Sequence, residues 1–265
     1  MGRKLEIAVT FIIVVAIIAI FAGFSLNEIP ADDWGLRFHY KTSPQASVEP
    51  FRPSTPEQYK TYEKAEKIEL PEPNFTGISV EKAIAQRRSV RNYSDEPLQL
   101  KQLSQLLFAA QGITTEEGGR PLRAAPSAGA TYPFEVYVVV CDVEQLKKGI
   151  YHYDVTSHSL SLVKEGDFAG DLSAAAFGQD SIANAPATFI LTAVFNRTRS
   201  KYGQRGLRFI YNEAGHISQN LYLQAESMGL GTVVAGGFID EKVNNLLELD
   251  GQKEAAIYLQ PVGKK

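Results

Sequence analysis

Two short segments of this chain carry groups that a phosphorylated, flat ligand would need. The first, Arg87-Arg88-Ser89-Val90-Arg91, concentrates three guanidinium groups and a hydroxyl within five residues. Because arginine offers a rigid fork of donors that matches phosphate oxygens, this segment predicts a phosphate clamp. Taken alone, such a segment is also typical of a solvated surface or of a helix C-terminus, where cations are favourable.

The second segment is residues 126–133 (PSAGATYP), a run of small residues between two prolines. Without large side chains, its backbone N–H groups can approach a planar ligand closely. It leads into residues 136–140 (VYVVV), which predict a buried β-strand that would hold the loop at the edge of a sheet. By itself, a run of this composition is more often an ordinary loop.

Three polar residues share one face of a predicted long helix. Glu213, His216 and Asn220 are spaced at i, i+3 and i+7. A Glu-x-x-His pair binds iron in some helical bundles, but that chemistry needs a second copy of the motif and further carboxylates. The chain has no second copy, so we predict no metal and assign these residues to a buried polar cluster or a dimer interface.

Helices and strands are predicted to alternate through the part of the chain that would position these groups. Ser79 is a candidate N-cap for a helix that ends near the arginines. The other predicted helices are 98–111, 168–177, 206–228 and 240–249, with 56–68 as a shorter candidate. The predicted strands are 136–140, 149–153 and 160–163 as a hairpin, 187–195, 231–234 and 255–260.

Composition excludes several classes of protein. The net charge of −3 and the pI near 5.9 argue against a nucleic-acid partner, which favours a basic domain. A single cysteine, Cys141, rules out an internal disulfide and any site with several cysteine ligands. The hydrophobic fraction of 44% is ordinary for a globular core.

The N-terminus predicts a membrane anchor. Residues 7–26 are an uncharged, apolar run long enough to cross a bilayer as a helix. Arg3 and Lys4 precede it and acidic residues follow, so the positive-inside rule predicts a membrane-anchored chain with its catalytic domain outside the cytoplasm. A cleavable signal peptide is the alternative. We therefore divide the chain into an anchor or signal peptide (1–26), a proline-rich linker (27–72) and a globular domain (73–265).

The globular part resembles the nitroreductase superfamily of FMN enzymes, and in particular its SagB-type azoline dehydrogenase branch. The resemblance is carried by the RRSVR and PSAGATYP segments and by the element order, and it covers residues 68–263. It implies an α+β sandwich, in which a central, mostly antiparallel sheet is flanked by helices. It also implies FMN as cofactor and a homodimer, because family members build each flavin site from both subunits.

The resemblance also implies roles for individual residues. At the phosphate end of FMN it implies Arg87, Arg88, Ser89 and Arg91, with Lys264 as a basic residue near the C-terminus. Along the flavin ring it implies Pro126, Ser127, Ala128, Gly129 and Tyr132, with the backbone of Gly236 and Gly237. Lys201 and Tyr202 match a Lys-Tyr pair that helps to remove a proton during azoline oxidation, although both also fit an ordinary loop before a helix.

The sequence thus predicts an FMN-dependent oxidoreductase that transfers a hydride between flavin N5 and a small organic or peptide-derived substrate. An NAD(P)H-dependent nitro or quinone reductase is the alternative of the same class. A membrane-tethered flavin-binding module without turnover is the alternative of another class. The substrate and the physiological electron partner are not identified by the sequence.

Overall fold

A seven-stranded antiparallel sheet forms the centre of the protein. The structure, a computed structural model, describes residues 57–265. The strands are β1 (Lys67–Glu69), β2 (Ile113–Glu117), β3 (Arg120–Arg123), β4 (Phe134–Val140), β5 (Gly149–Asp154), β6 (Ser159–Glu165), β7 (Ala187–Val194), β8 (Leu230–Thr232) and β9 (Glu254–Lys264). The order in the large sheet is β1-β6-β5-β4-β7-β9-β8, and β2 and β3 form a separate hairpin.

Helices cover both faces of this sheet. They are α1 (Val80–Gln86), α2 (Leu100–Gln111), α3 (Ala169–Ala175), α4 (Asp180–Ala183), α5 (Phe195–Tyr202), α6 (Gly206–Ser227) and α7 (Asp240–Leu246). The all-apolar pattern of β4 reflects this burial, because alternate residues of a strand point to opposite faces. Val136 and Val138 join the core beneath α2 and α6, whereas Tyr137 and Val139 join the core beneath α3 and α7.

The predicted α+β sandwich, with a central antiparallel sheet flanked by helices, is confirmed. The long helix 206–228, the helix 98–111 and the hairpin of 149–153 with 160–163 are observed within two residues of their predicted limits. The candidate helix at 56–68 is wrong: residues 57–66 form no helix, and β1 follows them and pairs with β6. β1 lies within the range predicted as linker, and the domain division itself stays a prediction.

The predicted localisation is corrected. Within residues 57–265, no helix is both long and apolar enough to cross a membrane. The longest described helix, α6, has 22 residues, but it carries charged side chains such as Arg208, Glu213 and Glu226. The apolar run at 7–26, on which the transmembrane helix and the extracytoplasmic placement depended, lies outside the described residues. Membrane association is therefore not supported.

The edge formed by β8 and β9 depends on a close approach between Gly263 and the Tyr93 ring. Gly231 pairs with Gly263 across the two strands. A Cβ at Gly263 would lie 2.6 Å from Tyr93 Cγ. The Tyr93 ring cannot easily move, because its hydroxyl donates to the carbonyls of Val90 and Pro261 at 3.0 and 3.3 Å.

We therefore expect Gly263→Ala to destabilise the fold by about 1–3 kcal/mol, the usual cost of overpacking. Urea denaturation monitored by circular dichroism would measure it. Gly170→Ala is the matched control, since a Cβ there meets no atom within 4 Å and Gly170 lies in helix α3. The control should be neutral or slightly stabilising, and an equal loss in both variants would contradict the prediction.

Candidate active site

The arginine segment, residues 87–91, extends the edge of the sheet. It follows α1 and runs beside β8, where Ser89 forms a parallel bridge with Thr232. Val90 N donates to the Thr232 carbonyl at 2.9 Å. Gly231 allows this approach, since a Cβ there would lie 2.6 Å from Val90 Cγ1. The backbone of the segment is thus fixed, while its polar side chains point to the surface.

The polar side chains of this segment differ in their exposure. Arg88, Ser89 and Arg91 are exposed, and Arg87 is half-buried with its guanidinium carbon 5.2 Å from the centre of the Tyr222 ring. Ser89 Oγ lies 3.1 Å from the hydroxyl of Tyr222. Arg88 Nη1 donates to two backbone carbonyls, at 2.7 and 3.1 Å, which leaves its other N–H groups for a ligand.

The C-terminal lysines lie at the same edge. Lys264 is paired with Leu230 of β8, and a Cβ at Gly231 would lie 3.5 Å from Lys265 Cγ. Lys264 Nζ lies 2.7 Å from Glu96, and Lys265 Nζ lies 2.6 Å from Glu226. Both lysine side chains are partly exposed, and ion pairs near the surface contribute little free energy, so both cations can turn toward an anion. The structure thus brings the predicted phosphate-binding residues together.

The second segment forms a strained loop at the start of β4. Gly129, Ala130 and Tyr132 all have positive φ, at 61°, 53° and 41°. Such angles disfavour residues with a Cβ, and non-glycine residues held in this region cluster at functional sites. Ser127 stabilises the loop, because its Oγ accepts from Tyr132 N at 2.9 Å and its carbonyl accepts from Ala130 N at 3.1 Å.

Lys201 and Tyr202 contact this loop directly. They end helix α5, and Lys201 Nζ donates to the Gly129 carbonyl at 3.2 Å. A Cβ at Gly129 would come within 2.4 Å of both Lys201 Nζ and Tyr202 Oη. Glycine is therefore favoured at this position on two grounds, its positive φ and the side-chain ends of Lys201 and Tyr202 that a Cβ would displace.

Side chains of helix α6 hold the loop in place through hydrogen bonds. Glu213 accepts a hydrogen bond from Ser127 Oγ at 2.6 Å, and His216 Nδ1 donates to the Pro126 carbonyl at 3.2 Å. Asn220 Nδ2 donates to the Ala109 carbonyl at 3.0 Å. The three residues predicted as a polar face thus bind the segments that carry the loop, and no group of three metal-ligating residues occurs within 57–265.

Glu213 is the most perturbed acid of this region. Its side chain is 2% exposed, and burial raises its pKa to about 7. The Ser127 hydroxyl and the nearby Arg123 guanidinium act in the opposite direction but do not outweigh the desolvation. A carboxyl group that titrates near neutrality is suited to exchanging protons, and such groups cluster at functional sites.

A second buried network fixes helix α5. Glu135 on β4 accepts from Arg197 of α5 and lies 2.7 Å from His152 Nε2. Although burial opposes it, His152 and Arg197 hold the pKa of Glu135 below its usual value. Arg197 also donates to the Tyr132 carbonyl at 3.4 Å, so one guanidinium positions both Lys201, one helical turn further on, and the strained loop.

The glycine pair Gly236–Gly237 is in a different environment. A Cβ at Gly236 would lie 3.2 Å from Tyr258, and the Gly237 carbonyl accepts from Gln179 Nε2 at 3.4 Å. Neither contact involves the arginine segment or the Pro126–Tyr132 loop. The role of this pair beside a flavin ring therefore stays a prediction.

Sequence reasoning missed several residues that shape the site. Arg197, Glu135 and Arg123 were not singled out. Arg197 and Arg123 lie in α5 and β3, which were not predicted, and Glu135 directly precedes a predicted strand. Glu213 was singled out for its spacing from His216, but its contact with Ser127 was not foreseen. A charged residue inside an otherwise apolar strand, as Glu135 is in β4, was the available signal.

Comparison with protein families gives a family assignment for most of the described residues. The family model described as "Nitroreductase family" matches residues 84–264. MJ1384 of Methanocaldococcus jannaschii, which is named provisionally as a nitroreductase, is 42% identical to this chain over 198 residues. The match covers 75% of this chain and 97% of that protein. The microcin B17-processing protein McbC of Escherichia coli is 30% identical over 179 residues, covering 65% of each chain.

Solved structures give the same fold. A provisionally assigned nitroreductase from Ralstonia eutropha superposes with a TM-score of 0.66 at 31% identity, covering 82% of this chain and 97% of that chain. A chain of the E. coli microcin synthetase McbBCD, solved with truncated pro-MccB17 bound, superposes with a TM-score of 0.59 at 26% identity, covering 72% of this chain and 74% of that chain.

The raised pKa of Glu213 predicts a pH-dependent cost to stability. The folded state binds this proton more tightly than the unfolded chain, so stability is lost as the pH rises from about 4.5 to about 7. Compared with Glu213→Gln, the wild-type protein should lose up to about 3 kcal/mol between pH 5 and pH 8. Urea denaturation of both proteins at the two pH values measures this difference.

Glu117→Gln is the control for that measurement, because Glu117 is exposed on the β2–β3 hairpin. This variant should follow the wild-type protein at both pH values. A constant difference between wild type and Glu213→Gln across the pH range would contradict the prediction.

Proposed function

Because this chain belongs to the nitroreductase family and is an oxidoreductase, we propose that it uses FMN and acts as an azoline dehydrogenase-like enzyme on a small organic or peptide-derived substrate. The single observation that carries the proposal is the contact of Lys201 and Tyr202 with the strained loop at Gly129. Lys201 and Tyr202 can transfer protons, and they pack on the loop of residues 126–132, which we call the platform. Oxidation beside a flat cofactor needs such groups held in a fixed position next to the surface that the cofactor lies against.

The donor set fits a flavin phosphate. Arg88, Ser89 and Arg91 are exposed at one edge of the sheet with Lys264 and Lys265 beside them. Charge-assisted hydrogen bonds from several cations are what a phosphate requires. Arg87 would add charge from its half-buried position over Tyr222.

The platform fits a ring system. Pro126, Ser127, Ala128 and Gly129 present small side chains, and Tyr132 is buried behind them. Glu213 binds this loop, and Tyr222 binds the arginine segment. Nine residues of helix separate the two, a rise of roughly 14 Å, which suits a ligand with a ring at one end and a phosphate at the other.

When bound, FMN would supply a two-electron carrier that exchanges a hydride with the substrate at N5. Lys201 Nζ, in its neutral form, would accept the single proton that leaves the substrate, and Tyr202 Oη would relay or donate, since both groups pack against the loop at Gly129. A cleft of about 300 Å³ adjoins them, lined by residues that include Arg120, Thr131 and Lys201. This cleft is where we propose that the substrate lies.

Similarity to McbC, which is named for processing microcin B17, supports a peptide-derived substrate. The stronger similarity to MJ1384 favours the second candidate, an NAD(P)H-dependent nitro or quinone reductase. Family membership speaks against a flavin-binding module without turnover.

We also propose a homodimer, in line with the resemblance, in which both subunits would contribute to each flavin site.

Purification of the full chain tests the cofactor and the reaction class together. We expect a yellow protein whose flavin is reduced by dithionite and reoxidised by oxygen or quinones. Oxidation of an azoline-containing peptide without added NAD(P)H would support the dehydrogenase, whereas rapid flavin reduction by NADH or NADPH would support the reductase. A colourless protein that gains no flavin spectrum with FMN would refute both.

Arg88→Ala should weaken FMN binding by about 10- to 100-fold, the effect of losing one charge-assisted contact. Quenching of FMN fluorescence on titration with the protein gives the dissociation constant. Lys242→Ala, an exposed cation on α7, is the matched control and should bind FMN as the wild-type protein does. Equal affinity of Arg88→Ala and the control would remove Arg88 from the phosphate site.

Lys201→Met should lower turnover by at least about 100-fold, because proton transfer by a positioned side chain contributes that much. FMN affinity should fall less than in Arg88→Ala, since Lys201 contacts the loop at the proposed ring and not the arginine segment that would hold the phosphate. Steady-state kinetics with the preferred substrate and FMN titration separate the two effects. Wild-type turnover in Lys201→Met would exclude Lys201 from the mechanism.

A further inference from the structure

The buried carboxyl group beneath the platform has no role in the steps described so far. Glu213 lies on the buried face of α6, and one of its oxygens, Oε2, accepts from Ser127 Oγ at 2.6 Å. Its other oxygen, Oε1, is buried and makes no hydrogen bond of ordinary geometry within the described residues, and the Gln111 side chain is the weakest of the groups that lower the pKa of Glu213. Leaving a buried charged oxygen unpaired is costly, so such an arrangement requires a reason.

The neighbours of Glu213 leave it poorly neutralised. Arg123 of β3 is the cation that faces it, but burial lowers the pKa of Arg123, and its guanidinium also interacts with Glu135. Gln111 of α2 accepts from Arg123 Nη1 at 3.1 Å. Arg123 in turn lies over the Tyr59 ring, and its backbone N–H donates to the Tyr132 hydroxyl. His216, one turn along α6 from Glu213, donates to the Pro126 carbonyl.

The link from Glu213 to the platform is a single hydroxyl. Ser127 donates to Glu213 and accepts from Tyr132 N at 2.9 Å, so the same oxygen ties the carboxyl group to the backbone of the strained loop. Ser127 is half-buried, and Pro126 beside it is exposed. A proton can therefore pass between solvent and Glu213 through the Ser127 hydroxyl, which gives one proton and receives another.

We propose that Glu213 is a proton store for the platform: it binds a proton when negative charge forms on the ligand held against residues 126–132 and releases it when that charge is lost. This inference rests on the proposed function, since the ligand is taken to be FMN. When bound, FMN would accept a hydride, and with it one negative charge, beside the loop. The Glu213 carboxylate then gains one O–H bond with a proton from solvent.

Simple electrostatics gives the direction of the coupling. A new negative charge near a carboxylate favours its protonated form. By linkage, the bound proton in turn favours the charged state of the ligand. Burial has already raised the pKa of Glu213 to about 7, so a modest further rise protonates it at neutral pH. Glu213 does not touch the ligand in this arrangement. It acts through Ser127 and through the electrostatic potential at residues 126–132, and is therefore a positioning residue and not a catalytic one.

The first test needs no cofactor. Protein labelled with ¹³C at the side-chain carboxyl of glutamate is titrated by NMR, and Glu213 is assigned as the signal that Glu213→Gln lacks. We expect its midpoint near pH 7, and Ser127→Ala, which removes a stabilising donor, should raise it. A midpoint in the ordinary glutamate range, about 4.3, would overturn the inference whether or not FMN binds.

The second test measures protons directly. FMN-loaded protein is photoreduced without oxygen in weakly buffered solution, and an indicator dye reports the protons taken up for each flavin reduced. Near pH 7.5, wild-type protein should take up more protons than Glu213→Gln, and the difference should vanish near pH 5.5, where Glu213 is already protonated. Equal uptake at both pH values would overturn the inference.

A measurement on the wild-type protein covers the case in which Glu213→Gln folds or binds FMN poorly. The infrared difference spectrum between reduced and oxidised protein near pH 7.5 should contain a new carboxylic acid C=O band, shifted by ¹³C-glutamate, and its absence would overturn the inference.

If no FMN binds at all, the proposed function fails with this coupling. If FMN binds and turns over but Glu213 titrates normally, only the present inference fails.

Discussion

The packing of helix α6 on the sheet is the constraint on which the rest of the site depends. Its apolar face is buried against the sheet and α2 through residues such as Ile210, Ile217 and Leu221. The polar residues beside that face then have fixed positions. Glu213 reaches the strained loop and Tyr222 reaches the arginine segment, so one rigid element sets the distance between the two halves of the site.

A second constraint is electrostatic. Glu135 and Arg197 are buried together, and such pairs add little net stability because desolvation offsets their attraction. Breaking one partner is costly, however, so the pair specifies a single arrangement of β4 and α5. Because Arg197 also donates to the Tyr132 carbonyl, this arrangement sets the position of Lys201 relative to the loop. The network thus fixes the geometry of the site while adding little net stability to the fold.

Several features of the site were accessible from the sequence because their chemistry is local. The arginine segment and the PSAGATYP loop are each also typical of a surface or an ordinary loop, but their order along the chain and the apolar strand that follows the loop made them recognisable together. The strongly periodic helix 206–228 was accessible because its pattern is also local. The strand β1 and the hairpin β2–β3 were not, since Lys67–Glu69 and Ile113–Glu117 carry many polar residues and become strands only by pairing.

The sequence by itself determined the residue types of the proposed site, the main helices and strands, and the family resemblance, because these depend on neighbours along the chain. Only the tertiary structure decided which groups meet. The contacts of Glu213 with Ser127, of Lys201 with Gly129 and of Ser89 with Thr232 join residues 72 to 143 positions apart. The pKa of Glu213 follows from its burial, a property that no local pattern contains.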